Sequence, residues 1–212
     1  MMLDNEYYNK NFLDTYIQGS PPLLKVQEEE MLVLSNLYKK VGLESLAGVT
    51  HLDIGTCTGR YLQWAYKHGA QNIYGIDSSP DLINFCKEYL QFSVNLILGS
   101  CADEKSYSKI KNIDSCTVML GTISHLSELQ LKEFLKILEI KMSPSGILVV
   151  SAWNRLPDDL NIYSEMPAHY LLKQSEALNY SHFEFNNFKI KHTEDTQYLT
   201  IKLFEKTNNS GV

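Results

Sequence analysis

The sequence predicts an α/β fold: a doubly wound, mostly parallel sheet of about seven strands, with helices on both faces and an antiparallel hairpin at the C-terminal end. Three observations predict it. A strand, a glycine turn and a helix follow directly on one another across residues 49–65. Short apolar runs then alternate with helical segments as far as Trp153, the pattern of repeated βα units. Finally, the β-rich runs 188–193 and 197–204 are separated only by Glu194, Asp195 and Thr196, which suits a hairpin.

The first unit organises the rest. Val49, His51, Leu52 and Ile54 form a short buried strand that stops at Gly55, turns through small residues to Gly59, and becomes helical at Tyr61, Leu62, Trp64 and Ala65. Glycine there permits left-handed backbone angles and close approach of a ligand. The following helix offers its unpaired N-terminal amides to the same ligand. Cofactor binding is the function this Rossmann-like turn implies. A dinucleotide site wants G-x-G-x-x-G directly after the strand; counted from Gly55, the chain has Cys57 and then Gly59, which fits poorly.

A second strand, 73–77, is closed by Asp77 and followed by Ser78, Ser79 and Pro80. Ser79 suits an N-cap and Pro80 the first helical turn. An acid at the end of the second strand, roughly 20 residues beyond the glycine loop, suits contact with ribose hydroxyls. The plainer reading is that Asp77 only holds its own turn. A helix over 81–92 leads to a third strand, 94–98, and to Gly99-Ser100-Cys101-Ala102-Asp103. The fourth strand, 115–120, ends in Gly121-Thr122-Ile123-Ser124-His125-Leu126. A helix over 126–138, a tight turn over 143–146 and a fifth buried strand over 147–153 complete the parallel part.

Before the first strand, Tyr8, Phe12 and Tyr16 recur on one helical face, and Gly19 to Pro22 break the pattern. A second helix over 23–41 buries Leu24, Met31, Leu32, Leu34, Leu37 and Tyr38, with Glu28, Glu29 and Glu30 as a solvated face. Residues 1–45 are thus a helical lid or cap, 46–207 the cofactor-binding domain, and 208–212 a fraying tail. Residues 154–166 form a loop over the pocket, and a helix lies near 168–177.

Asp53, Gly55, Cys57 and Gly59 together resemble the first motif of class I S-adenosylmethionine (SAM)-dependent methyltransferases, an acid followed by G-x-G-x-G, with Cys57 in place of the middle glycine. The resemblance extends in order through Asp77 and the later strand ends, over residues 49–153. It implies SAM as cofactor and S-adenosyl-L-homocysteine as product. The implied cofactor contacts are Asp53, Gly55, Thr56, Cys57 and Gly59 in the loop, Asp77 and Ser78 at the ribose, and Leu120 at the fourth strand end. Cys101 or Ala102 would give an amide to the adenine, and Asp103 either a carboxylate or only a loop acid. The turn ending in His125-Leu126 is similar to small-molecule N-methyltransferases of the glycine N-methyltransferase and aminosugar N,N-dimethyltransferase type. Arg60 or Lys10 would take the methionine carboxylate.

Methyl transfer from a sulfonium needs the reactants held in line and water kept out. A base is needed only when the nucleophile arrives protonated. His125 is the first candidate, and Tyr8 on the lid the second. Alternatively, His125 caps the next helix or packs beneath the loop. The acceptor expected is a small molecule, methylated on nitrogen or oxygen.

The net charge of -6 and only two arginines, Arg60 and Arg155, disfavour a nucleic-acid partner. The cysteines 57, 86, 101 and 116 show no metal spacing and suit free thiols, so no metal is expected. No signal peptide or membrane span is read, so the expectation is a cytoplasmic monomer or homodimer. Two rivals remain: a non-catalytic scaffold that kept the fold, and a nicotinamide-dependent oxidoreductase, for which no hydride-transfer motif is evident.

Overall fold

The computed structural model describes Leu13, Asp14, residues 21–154, Phe185 and residues 187–207. Its elements are α1 (Pro21–Lys40), β1 (Thr50–Ile54), α2 (Arg60–Lys67), β2 (Asn72–Asp77), α3 (Pro80–Tyr89), β3 (Asn95–Leu98), β4 (Ile113–Val118), α4 (Glu128–Lys141), β5 (Met142–Trp153), β6 (Phe188–Asp195) and β7 (Leu199–Lys206). Short 3-10 turns cover Glu104–Tyr107 and Thr122–His125.

The seven strands form one sheet in the order β3-β2-β1-β4-β5-β7-β6. The first five pair in parallel, whereas β7 runs antiparallel to both β5 and β6. The hairpin therefore inserts its second strand beside β5. From β1 the chain moves outward to β3, then returns to the other side of β1 to lay down β4. The crevice at the strand tips where this direction reverses is the place where open sheets bind ligands.

Side-chain alternation along β1 divides the two faces. Leu52 and Ile54 join Cys116, Val118, Phe134 and Leu148 in one apolar layer. Leu34, Leu37, Leu62, Trp64 and Val149 form the layer opposite, beneath α1 and α2. Within the α1 layer runs a buried polar chain. The Tyr38 hydroxyl meets Ser115 Oγ at 2.5 Å, Ser115 meets His51 Nδ1 at 2.8 Å, and Thr117 Oγ1 lies 3.3 Å from His51 Nε2. Thr117 then donates to Asp53 Oδ1 at 2.7 Å. Burial lowers the His51 pKa to about 3, so the ring is neutral and serves as a hydrogen-bonding link.

Several boundaries depart from the sequence expectations. α1 starts at Pro21, since proline is compatible with a first helical turn whose amide has no intrahelical partner. Leu24 and Leu32 are exposed, and so is Leu129 on α4. The expected solvated triplet is split: Glu28 is exposed, but Glu30 is fully buried. The turn 143–146 is an excursion within β5, because Met142 pairs with Ile113 and Ile147 with Ser115. The hairpin link lies at 196–198, later than expected, since Glu194 and Asp195 still pair with Ile201 and Thr200. Tyr8, Phe12 and Tyr16, Lys10, the loop 155–166, the helix near 168–177 and the tail 208–212 lie outside the described residues. Among the described residues no helix is long and apolar enough to cross a membrane.

Candidate functional site

The loop from β1 to α2 takes three left-handed residues: Gly55 at φ 69°, Cys57 at 49° and Gly59 at 77°. A non-glycine residue in this region costs about 1–2 kcal/mol, so Cys57 retains the turn of a glycine position at some strain. Two contacts hold it there. Its amide donates to Asp77 Oδ2 at 2.9 Å, and its carbonyl accepts from the Cys86 thiol at 3.2 Å. Burial pushes the Cys57 thiol well above its ordinary range, which keeps it uncharged beside Asp77.

Asp77 is buried at the tip of β2. Its Oδ1 accepts from the Ser79 amide at 2.9 Å while Oδ2 binds the Cys57 amide. The carboxylate thus ties the β1 loop to the start of α3. Each oxygen has accepting capacity to spare beyond these bonds. Desolvation raises its pKa, opposed by the amides it accepts from. Ser79 is the N-cap expected, accepting from Leu82, with Pro80 in the first turn. Ser78 beside it is exposed.

Thr56 points inward. Its hydroxyl donates to the Asp53 carbonyl at 3.2 Å, and a Cβ on Gly75 would stand 2.6 Å from it. Asp53 is fully buried; beyond the Thr117 hydroxyl on Oδ1, its Oδ2 has no hydrogen-bond partner among the described residues. Burial raises its pKa to about 8, reinforced by the nearby Asp77 and Glu30 carboxyls and opposed by the Thr117 and Thr56 hydroxyls.

At the β4 tip a second left-handed pair occurs, Leu120 at φ 49° and Gly121 at 72°. Gly121 lies flat on the Trp153 indole, where a Cβ would stand 2.3 Å from Nε1. Trp153 is therefore core support for this turn. The Leu120 amide donates to Glu30 Oε1 at 2.8 Å. Glu30 also accepts from the hydroxyls of Tyr61 and Ser151, so one carboxyl joins α1, α2, β5 and the β4 tip. Desolvation raises the Glu30 pKa, while these three donors and the Arg60 charge oppose that rise. Arg60 has its Nη1 buried without a partner among the described residues.

His125 closes the 3-10 turn behind Gly121 and is half-buried. It does not cap α4. Ser127 does so, in a reciprocal capping box with Gln130. At the β3 tip Cys101 is buried, and the Ala102 amide donates to Ser100 Oγ at 3.2 Å. Asp103 is exposed and accepts from the Lys105 amide at 3.0 Å, capping the next turn.

Glu30 is the residue that the sequence reading missed. A signal for it exists: Glu30, Leu34, Leu37 and Tyr38 share the i, i+4, i+7, i+8 stripe that faces the core. The unpartnered Arg60 Nη1 and Asp53 Oδ2 are buried polar atoms of opposite demand, a cation and a carboxyl. Both suit the amino-acid head of a zwitterionic cofactor.

The methyltransferase domain family matches residues 52–146, spanning β1 to the start of the fifth strand's regular pairing. The matched stretch supports SAM-dependent methyl transfer, with S-adenosyl-L-methionine as the cofactor. The PH0226 protein of Pyrococcus horikoshii is similar in fold at TM-score 0.61 and 16% identity, covering 89% of this chain and 93% of that one. A SAM-dependent methyltransferase of Aquifex aeolicus gives 0.57 and 20%, over 82% and 89%. A TehB-like SAM-dependent methyltransferase of Corynebacterium glutamicum gives 0.55 and 13%, over 89% and 100%. At these identities the structural likeness is one of fold. No curated protein matches the sequence.

Proposed function

We propose that this methyltransferase transfers the methyl group to a nitrogen or oxygen of a small-molecule acceptor, at the crevice between the β1 and β4 tips. One observation carries the location: the two left-handed turns, Gly55 to Gly59 and Leu120 to Gly121, meet across this switch point. They are in direct contact, since a Cβ on Gly55 would stand 2.4 Å from the Thr122 side chain. The net charge of -6 supports a small acceptor over a nucleic acid.

When bound, SAM supplies a methyl group already activated by its sulfonium. The chain's part is to hold, orient and exclude water. Asp77 takes the ribose hydroxyls with its remaining acceptor capacity, and Ser78 flanks it. Main chain at Gly55, Cys57 and Gly59 lines the approach, with Thr56 bracing the loop from below. Cys101 or Ala102 meets the adenine edge, and Asp103 is the nearest acid to it. Asp53, Leu120 and Arg60 surround the amino-acid head. His125 at the β4 tip takes a proton from an acceptor that arrives protonated, and Tyr8, on the N-terminal lid, is the second candidate.

Calorimetric titration with SAM and with NAD, followed by transfer of labelled methyl to fractionated small molecules, RNA and protein, tests this reading. SAM binding with label in the small-molecule fraction supports it. Label only in RNA or protein overturns the acceptor class. Binding of NAD alone favours the oxidoreductase reading, and binding of neither favours the scaffold reading.

A further inference from the structure

Three buried carboxyls lie under the strand tips: Glu30 on α1, Asp53 on β1 and Asp77 on β2. Asp53 feels the charge of both others. Their hydrogen bonds differ in kind. Glu30 accepts from the Leu120 amide and from the Tyr61 and Ser151 hydroxyls, and Asp77 accepts from the Cys57 and Ser79 amides. Amides can only donate, so the carboxyl oxygens facing Leu120, Cys57 and Ser79 act as acceptors. Asp53 accepts from Thr117, and its Oδ2 is buried with no partner among the described residues. The Thr56 hydroxyl donates to the Asp53 main-chain carbonyl and also opposes the rise in the carboxyl's pKa. Asp53 Oδ2 is thus a buried carboxyl oxygen that faces no donor among the described residues and is open to carrying hydrogen.

The other ionisable groups around it leave this assignment in place. His51, on its own strand, is neutral because burial holds its pKa near 3. Tyr38 on α1, Cys57 in the loop, Cys86 on α3 and Cys116 on β4 are all raised by burial and stay protonated. Arg60 on α2 is the nearby cation, and its charge acts on Glu30 and Cys57. Asp77 and Glu30 each act against ionisation of Asp53, which has no cation among the groups that shift it.

We propose that Asp53 discriminates by charge: it carries a proton in the free protein and releases it to solvent when a cationic cofactor binds, favouring the sulfonium cofactor over its thioether product. The inference rests on the SAM site proposed above. SAM carries one positive charge more than S-adenosylhomocysteine, so its binding ionises Asp53 further. Because proton release and binding are linked, SAM affinity rises with pH until Asp53 is ionised in the free protein as well. The excess of SAM over product affinity therefore grows about tenfold between pH 6 and pH 8.

The test is isothermal titration of the full chain at pH 7 with SAM and with S-adenosylhomocysteine, each in phosphate and in Tris. These buffers differ strongly in ionisation heat. The expected result is a buffer-dependent heat for SAM that corresponds to close to one proton released, and a smaller release for the product. Asp53→Asn abolishes the difference between the two ligands. If SAM binds with the same heat in both buffers, or releases no more protons than the product, the inference is overturned while the cofactor site stands. No binding of SAM in either buffer overturns the site and the inference together. Should the Asn variant fail to fold, the wild-type comparison decides alone.

Discussion

Replacing Glu30 by alanine tests whether a residue that reads as surface is a structural junction. The wild-type carboxyl satisfies the Leu120 amide, the Tyr61 hydroxyl and the Ser151 hydroxyl, all at a position closed to solvent. Removing one partner of a buried hydrogen bond costs about 1–3 kcal/mol for each group left unsatisfied. Both hydroxyls can rotate toward water admitted to the new space, whereas the Leu120 amide is fixed by the left-handed turn it belongs to. Relief of the desolvated carboxyl offsets part of the loss. The net expectation is about 2–4 kcal/mol for Glu30→Ala. Glu30→Gln costs about 1 kcal/mol, since its carbonyl keeps the Leu120 amide and the Ser151 hydroxyl while its NH2 group faces the Tyr61 hydroxyl, which is able to accept. Urea unfolding followed by the fluorescence of Trp64 and Trp153 reads both. With a slope of about 2 kcal/mol per molar, the alanine midpoint falls by about 1–2 M. An alanine variant within about 0.5 kcal/mol of wild type, the ordinary range for a surface site, refutes the junction.

Three further outcomes are expected. Asp77→Ala lowers SAM affinity at least about tenfold, the loss typical of a charge-assisted hydrogen bond. It also lowers stability by about 1–3 kcal/mol, because the Cys57 and Ser79 amides lose their acceptor; unchanged affinity by calorimetry removes the ribose assignment. His125→Ala lowers single-turnover methyl transfer by about 100-fold or more with SAM affinity within about twofold, and equal turnover removes His125 from the chemistry. Stability falls as pH rises from 6.5 to 8: the folded chain retains the Asp53 proton up to about pH 8, whereas an unfolded aspartate has already lost it. His51, with its pKa lowered to about 3, acts in the opposite sense and only below about 6.5. The loss is about 2 kcal/mol over that range, and thermal melts of Asp53→Asn should show it flattened.

The strand, glycine turn and helix at residues 50–67 were legible because each signal is local: burial alternation along β1, left-handed positions in the loop, and an amphipathic α2. Ser79 and Pro80 were legible for the same reason, since an N-cap acts over three residues. Asp77 shows where locality stops. The ribose reading and the turn-holding reading looked like alternatives, yet the carboxylate holds the turn through two amides and still has accepting capacity. At His125 the capping alternative failed because Ser127, two residues on, makes the better cap. Asp103 turned out to be exposed and bonded to the Lys105 amide, a local bond that any acid at that spacing could make.

By itself, the sequence determined the α/β class, the order of its strands along the chain, the glycine turn and the acids that end β1 and β2, since these depend on periodicity and on neighbours a few residues apart. Only the tertiary structure decided that β7 lies between β5 and β6, and that Glu30 leaves the apparent acidic face of α1 to bind Leu120, 90 residues away in sequence. It alone brought Glu30, Asp53 and Asp77 under one set of strand tips. The physical reason is that a carboxyl's charge state follows from the donors and charges packed around it, and the fold gathers those from helices and strands far apart in the chain.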